Sequence, residues 1–206
     1  HSALARTAVT AVCLVVALVP ELTNRPMNLG LGFLWSQYPV AACDWIEKHD
    51  VRGRMASVFG QAGYILWRFF PDRDQLPFMD IHQAGTRQDR YTYAYAWSDS
   101  AAWRDLDQRH HFDYVLAPRV ESPGVNILER LDADSTWRLV FLDDVSALYL
   151  RTNGSMAALA ERERYRYLGA SIEALGRVGE RAYADTTARR AIRAELRRQI
   201  AETQQN

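Results

Sequence analysis

The residues best suited to chemistry lie in the middle of the chain. Asp80 and His82 stand two apart in LPFMDIH (76–82). That run reads as a strand, and residues two apart on a strand share a side. Gln83, Arg87 and Asp89 follow closely, which suggests a polar site at a strand end. One carboxylate with one imidazole is a partial metal set. Two ligands are too few for a metal site, and the plainer role for Asp80 is to hold a loop through backbone hydrogen bonds. Asp107, His110, His111 and Asp113 form a second group at a helix end. Asp107 and His110 share a face at i, i+3 spacing, although a histidine there is also what a helix C-terminus favours electrostatically. Neither group is joined by a cofactor loop. The chain has no G-x-G-x-x-G, no Walker-type phosphate loop, no G-x-S-x-G and no H-E-x-x-H. Gly60-Gln61-Ala62-Gly63 resembles a phosphate turn only loosely. Two cysteines, Cys13 and Cys43, exclude a disulfide scaffold and a four-cysteine zinc site. No metal, cofactor or catalytic residue is therefore expected.

The elements that must position these residues alternate between helix and strand. Pro39 opens a helix in VAACDWIEKHD, where proline suits a first turn. Residues 51–54 read as a turn with Gly53, MASVF (55–59) as a short buried strand, and GYILWRFF (63–70) as a helix stopped by Pro71. YTYAYAW (91–97) fits a strand by its alternation and a helix by its alanines. Ser98 or Asp99 caps the next helix. FDYVLAP (112–118) is a strand and residues 124–134 a helix. TWRLVFLDD and VSALYLRT form a hairpin turning at Asp143–Asp144, so its strands are antiparallel. The fold class that follows is α/β, a small mixed sheet of about five strands with flanking helices.

The ends of the chain differ from its centre. The run Thr7–Val19 carries no charge and is closed by Pro20 and Glu21. A transmembrane helix, the apolar core of a signal peptide and a buried helix are the three readings of it, and the first is favoured. The chain opens on His1 rather than Met, which reads as a fragment. Trp35 and Tyr38 suit a membrane interface or a cap on the following core. The organisation expected is an apolar helix over 1–21, a linker over 22–38, an α/β domain over 39–153 and a helical hairpin over 154–206. In the tail, Tyr165, Leu168, Ile172 and Leu175 read as one apolar stripe. Ala182, Ala188, Ile192, Leu196 and Ile200 read as another, joined to the first through Gly176–Gly179. One such hairpin weakly resembles a tetratricopeptide unit, which cannot bury its own core alone.

Composition bounds the function. The chain is 206 residues long, 48% hydrophobic and 24% charged, enough for a real core. Its 25 basic and 25 acidic residues leave no net charge, which disfavours a dedicated nucleic-acid binder. The balance is uneven. Residues 36–150 hold 12 basic and 17 acidic residues, and residues 151–206 hold 11 and 7. An arginine-rich tail could touch anionic lipid, but its interleaved acids read more simply as Glu/Arg pairs on a solvated face.

The order GYILWRFFPDR, LPFMDIHQAG, AAWRDLDQRHHFDYVLAPR and LDADSTWRLVFLDDVSALYLR resembles the C-terminal soluble domain of bacterial multi-pass membrane proteins. These are similar to the dolichyl-phosphate-mannose-type protein mannosyltransferases and related glycosyltransferases of the C class. Residues 39–152 carry the resemblance, and Ile81-His82 stands where Gly-Arg often follows the aspartate. The resemblance implies an extracytoplasmic accessory domain at the bacterial inner membrane, without the catalytic carboxylate, that contributes to binding an acceptor or a lipid-linked sugar. Tyr64, Trp67, Arg68, Asp80, His82 and Arg87 are its candidate binding residues. Membrane lipid and lipid-linked sugar are the expected partners, and nucleic acid is not. The alternative is a membrane-anchored module that captures a protein through residues 157–206.

Overall fold

The computed structural model describes residues 3–24, 37–80, 82, 85–119 and 127–203. The chain divides into two units, residues 1–34 and residues 35–206. Within the first, helix α1 spans Ala3–Asn24. Thr7 and Thr10 turn their hydroxyls back to the carbonyls of Ala3 and Arg6, at 3.1 and 3.0 Å. Among the described residues no helix is long and apolar enough to cross a membrane. This corrects the transmembrane expectation for residues 1–21. Arg6 and Glu21 bracket too short an uncharged stretch, when about 20 apolar residues are needed to span the hydrocarbon at ~1.5 Å per residue.

Among its described residues, the second unit contains a mixed sheet of four strands, not five. Strands β1 (Met55–Ser57), β2 (Tyr114–Pro118), β3 (Trp137–Leu142) and β4 (Ser146–Arg151) lie in the order β1-β2-β4-β3. β1 and β2 are parallel, and the other pairs are antiparallel. Alternation along the strands builds two core faces. Val115, Ala117, Ala147 and Tyr149 point to one face, and Tyr114, Leu116, Leu148 and Leu150 to the other. β3 carries an irregularity between Leu139 and Phe141. The extra residue shifts the parity, so Val140 and Phe141 both reach the second face while Leu142 returns to the first.

Helices α2 (Val40–Lys48), α3 (Phe59–Phe69) and α7 (Ala157–Glu163) contribute buried residues to the second face. Helices α4 (Arg87–Ala96), α5 (Ser100–His110), α6 (Ile127–Ala133) and α9 (Thr186–Thr203) contribute to the first. The expected strand over 76–82 does not form. Pro77 has no N–H to give a ladder and makes only an isolated bridge to Met55, and a short 3₁₀ turn at Arg73–Gln75 precedes it. Ile81 and residues 83–84 lie outside the described residues. The ambiguous YTYAYAW run is helical. Thr86 and Asp89 form a capping box at its start, which offsets the strand-like alternation of its tyrosines.

Asp89 also binds Arg109 and His110 of α5, so it ties the start of one helix to the end of the next. The Thr86 hydroxyl, with His110 and Arg109, holds the Asp89 carboxyl below the usual carboxylate range.

The tail departs from two regular stripes. Residues 164–171 are irregular, and helix α8 (Ile172–Ala184) starts only after them. Tyr165 and Leu168 are buried in the first core face, whereas Ile172 is 65% exposed. Gly176 and Gly179 lie inside α8, and the joint to α9 falls at Asp185, whose carboxylate accepts the Thr187 N–H at 2.7 Å. The irregular segment replaces helical hydrogen bonds with two carboxylates. Glu195 of α9 accepts the backbone N–H groups of Arg166, Tyr167 and Leu168 at 2.7, 3.0 and 3.0 Å. Asp132 of α6 accepts the N–H groups of Ala170 and Ser171 at 3.3 and 2.9 Å, the Ser171 hydroxyl at 2.8 Å and the Tyr149 hydroxyl at 2.7 Å. Gly169 between them is forced. A Cβ there would strike Ala174 and come within 2.8 Å of the Asp132 carboxylate.

Two stability outcomes follow from these contacts. Glu195→Ala leaves three N–H groups without their charged acceptor and should cost about 2–3 kcal/mol in urea unfolding; a loss of a few tenths would reduce the clamp to a surface contact. Because Asp89 titrates lower folded than unfolded, its stabilisation is complete above about pH 4 and is lost as the pH falls toward its own lower value. Melting temperatures of the wild type and Asp89→Asn should therefore converge in acid, and a gap that stays constant down to pH 2 counts against this linkage.

Candidate functional site

The six residues expected to bind ligand fall on three elements. Tyr64 is buried on α3, packed between Tyr38 and Trp67 at ring distances of 5.5 and 5.6 Å, and burial raises its phenol above the usual range. Arg68 bonds both Glu47 oxygens, at 3.0 and 2.6 Å, and Asp44 at 2.5 Å. It staples α3 to α2, and the Glu47 bond raises its pKa further. Trp67 is 71% exposed on the same helix. Asp80 accepts the backbone N–H of His82 at 2.9 Å, the loop-holding role, so this pair is not set side by side on a strand. Arg87 is exposed in the first turn of α4. Trp35 and Gln83 lie outside the described residues.

The second polar group is absorbed by structure. Asp107 bonds Arg151, whose guanidinium lies 3.9 Å over the Trp137 ring. His110 meets Asp89 at 3.2 Å and the Phe78 ring at 4.4 Å. His111 closes α5 in the left-handed region, at φ 52°. Asp113 accepts the Arg54 N–H at 2.8 Å and packs against Gly53, whose φ of 127° suits only glycine. Among the described residues no group of three or more His, Cys, Asp or Glu is placed to hold a metal ion.

A cleft of about 690 Å³ opens elsewhere, and none of the six candidates lines it. Its floor is the β3–β4 hairpin, with Trp137, Leu139 and Tyr149. Its walls are the end of α6, the irregular segment 164–169 and the charged side of α8. Five arginines line it: Arg138, Arg164, Arg166, Arg177 and Arg181. The two acids are Asp132 and Asp134, and both are engaged. Asp132 holds the clamp described above, and Asp134 accepts the N–H and hydroxyl of Thr136 at 2.8 and 2.7 Å. Arg138 and Arg164 share Glu161, at 2.8 and 3.2 Å, and Arg177 meets Glu173 at 2.6 Å. Arg166 and Arg181 have no hydrogen-bond or ion-pair partner through their side chains among the described residues.

The aromatic lining is equally specific. Tyr165 is buried under the Arg198 guanidinium at 4.7 Å, and burial raises its phenol. Tyr149 is driven well above the usual range by burial, with Asp132 adding to the effect, and so stays a neutral donor to that carboxylate. The indole Nε1 of Trp137 is buried without an acceptor. Free guanidinium groups at the mouth of the cleft suit an anionic ligand, because their forks match phosphate oxygens.

Sequence reasoning missed this cleft. Its one signal was the arginine excess after residue 150, which composition cannot place on one wall. At a few ångströms, one charge pair is worth about 1 kcal/mol in water and about 4 kcal/mol near a protein surface. Arg166→Ala and Arg181→Ala should each weaken binding of inorganic pyrophosphate by about fivefold or more without lowering the melting temperature; unchanged calorimetric affinity in both would remove the cleft as an anion site. No family model, no curated protein and no solved structure matches this chain.

Proposed function

We propose that this chain is an accessory ligand-binding domain of a membrane glycosyltransferase-like protein, and that its cleft holds the phosphate of a lipid-linked sugar or of a phosphate-bearing acceptor. One observation carries the reading. Five arginines line a cleft whose two carboxylates are spent on internal hydrogen bonds, leaving Arg166 and Arg181 for an outside anion. The resemblance of residues 39–152 to glycosyltransferase-associated domains supports the same ligand class. On this reading the unit works on the extracytoplasmic side of the bacterial inner membrane, and bond-making belongs to another part of the assembly.

The test is calorimetric titration of the full chain with a short-chain prenyl-phosphate mannose in mild detergent. Saturable binding that pyrophosphate competes away is expected, with no mannose transfer to an acceptor peptide by this chain alone. Absence of saturable binding, or steady turnover by the isolated chain, overturns the proposal.

A further inference from the structure

The interleaved charges of α9 read in sequence as Glu/Arg pairs on a solvated face. The structure sorts them differently. Glu195 faces inward onto the N–H groups of residues 166–168, and Glu202 faces inward onto Tyr165 and Arg198. Arg198 is itself turned inward, donating to the carbonyls of Val140 and Glu163 at 2.8 and 2.7 Å. Arg189 caps α8 through the Ala182 carbonyl at 2.7 Å. What remains outside is Arg190, Arg193 and Arg197, all exposed and without a hydrogen bond or ion pair among the described residues. Their i, i+3, i+7 spacing sets them in one line. Leu196 and Ile200, an i, i+4 pair, form the adjoining line and are 40% and 52% exposed. The outer face of this helix thus carries three cations, no acid and a flanking apolar row.

We propose that this face of α9 docks on an anionic lipid surface. Arginines alone would suit any polyanion. The apolar row beside them selects a bilayer interface, where guanidinium groups meet lipid phosphates while leucine and isoleucine enter the acyl boundary. A nucleic acid would leave Leu196 and Ile200 in water. The site is distinct from the cleft, which draws its cations from β3, the 164–169 segment and α8.

Co-sedimentation of the full chain with vesicles tests this, comparing pure phosphatidylcholine with one-third phosphatidylglycerol. Any binding through the apolar residues of α1 appears with both and is subtracted as the neutral-vesicle baseline. The wild type should show an anionic excess that salt screens. Arg190→Glu/Arg193→Glu/Arg197→Glu should reduce that excess on the order of 100-fold, with unchanged circular dichroism and melting. Leu196→Ser/Ile200→Ser should reduce it as well. Arg73→Glu/Arg104→Glu, which lowers the charge elsewhere on the same unit, should retain it. No anionic excess in the wild type, an excess that survives the α9 reversal, or binding to heparin through the same arginines without binding to vesicles would each overturn the proposal.

Discussion

Two inward-facing carboxylates organise the C-terminal half of this protein. The segment between α7 and α8 has no regular ladder for its N–H groups, and buried backbone donors must find acceptors. Glu195 takes three of them from one side, and Asp132 takes two more from the other with the hydroxyls of Ser171 and Tyr149. Each contact is charge-assisted and therefore stronger than a neutral one. The clamp lets Tyr165, Leu168 and Ala170 enter the core of the sheet. It also fixes the irregular wall of the cleft.

The same contacts decide the electrostatics. A carboxylate that accepts several internal hydrogen bonds is drawn away from the surface and can no longer neutralise a neighbouring arginine. Asp132, Asp134 and Glu195 are all spent in this way. A chain with no net charge thereby acquires two positive regions, one concave with an aromatic floor and one convex with an apolar margin. The first suits a phosphate-bearing small ligand, and the second a broad anionic surface.

Much of the scaffold was legible in the residues. The β3–β4 hairpin, strand β2, helix α2 behind Pro39 and helix α5 behind Asp99 all appear where alternation, proline and capping residues place them. The failures have local causes. Pro77 removed a ladder donor from an apolar run that otherwise looked like a strand. The Thr86–Asp89 capping box turned an alternating tyrosine run into a helix. The candidate residues Tyr64 and Arg68 became a packing contact and a staple between helices, because carboxylates from α2 lie across from them.

By its own order of residues the chain determined an α/β unit with an antiparallel hairpin, an apolar opening helix and an arginine-rich helical tail. Those properties rest on periodicity, on proline and glycine, and on short-range capping, all of which act within a few neighbours along the chain. Only the tertiary structure decided which charges are free. Asp132 lies 39 residues from Ser171, and Glu195 lies 29 from Arg166. No local pattern links such partners. Folding consumed those acids at long range, so Arg166, Arg181, Arg190, Arg193 and Arg197 were left to face outward.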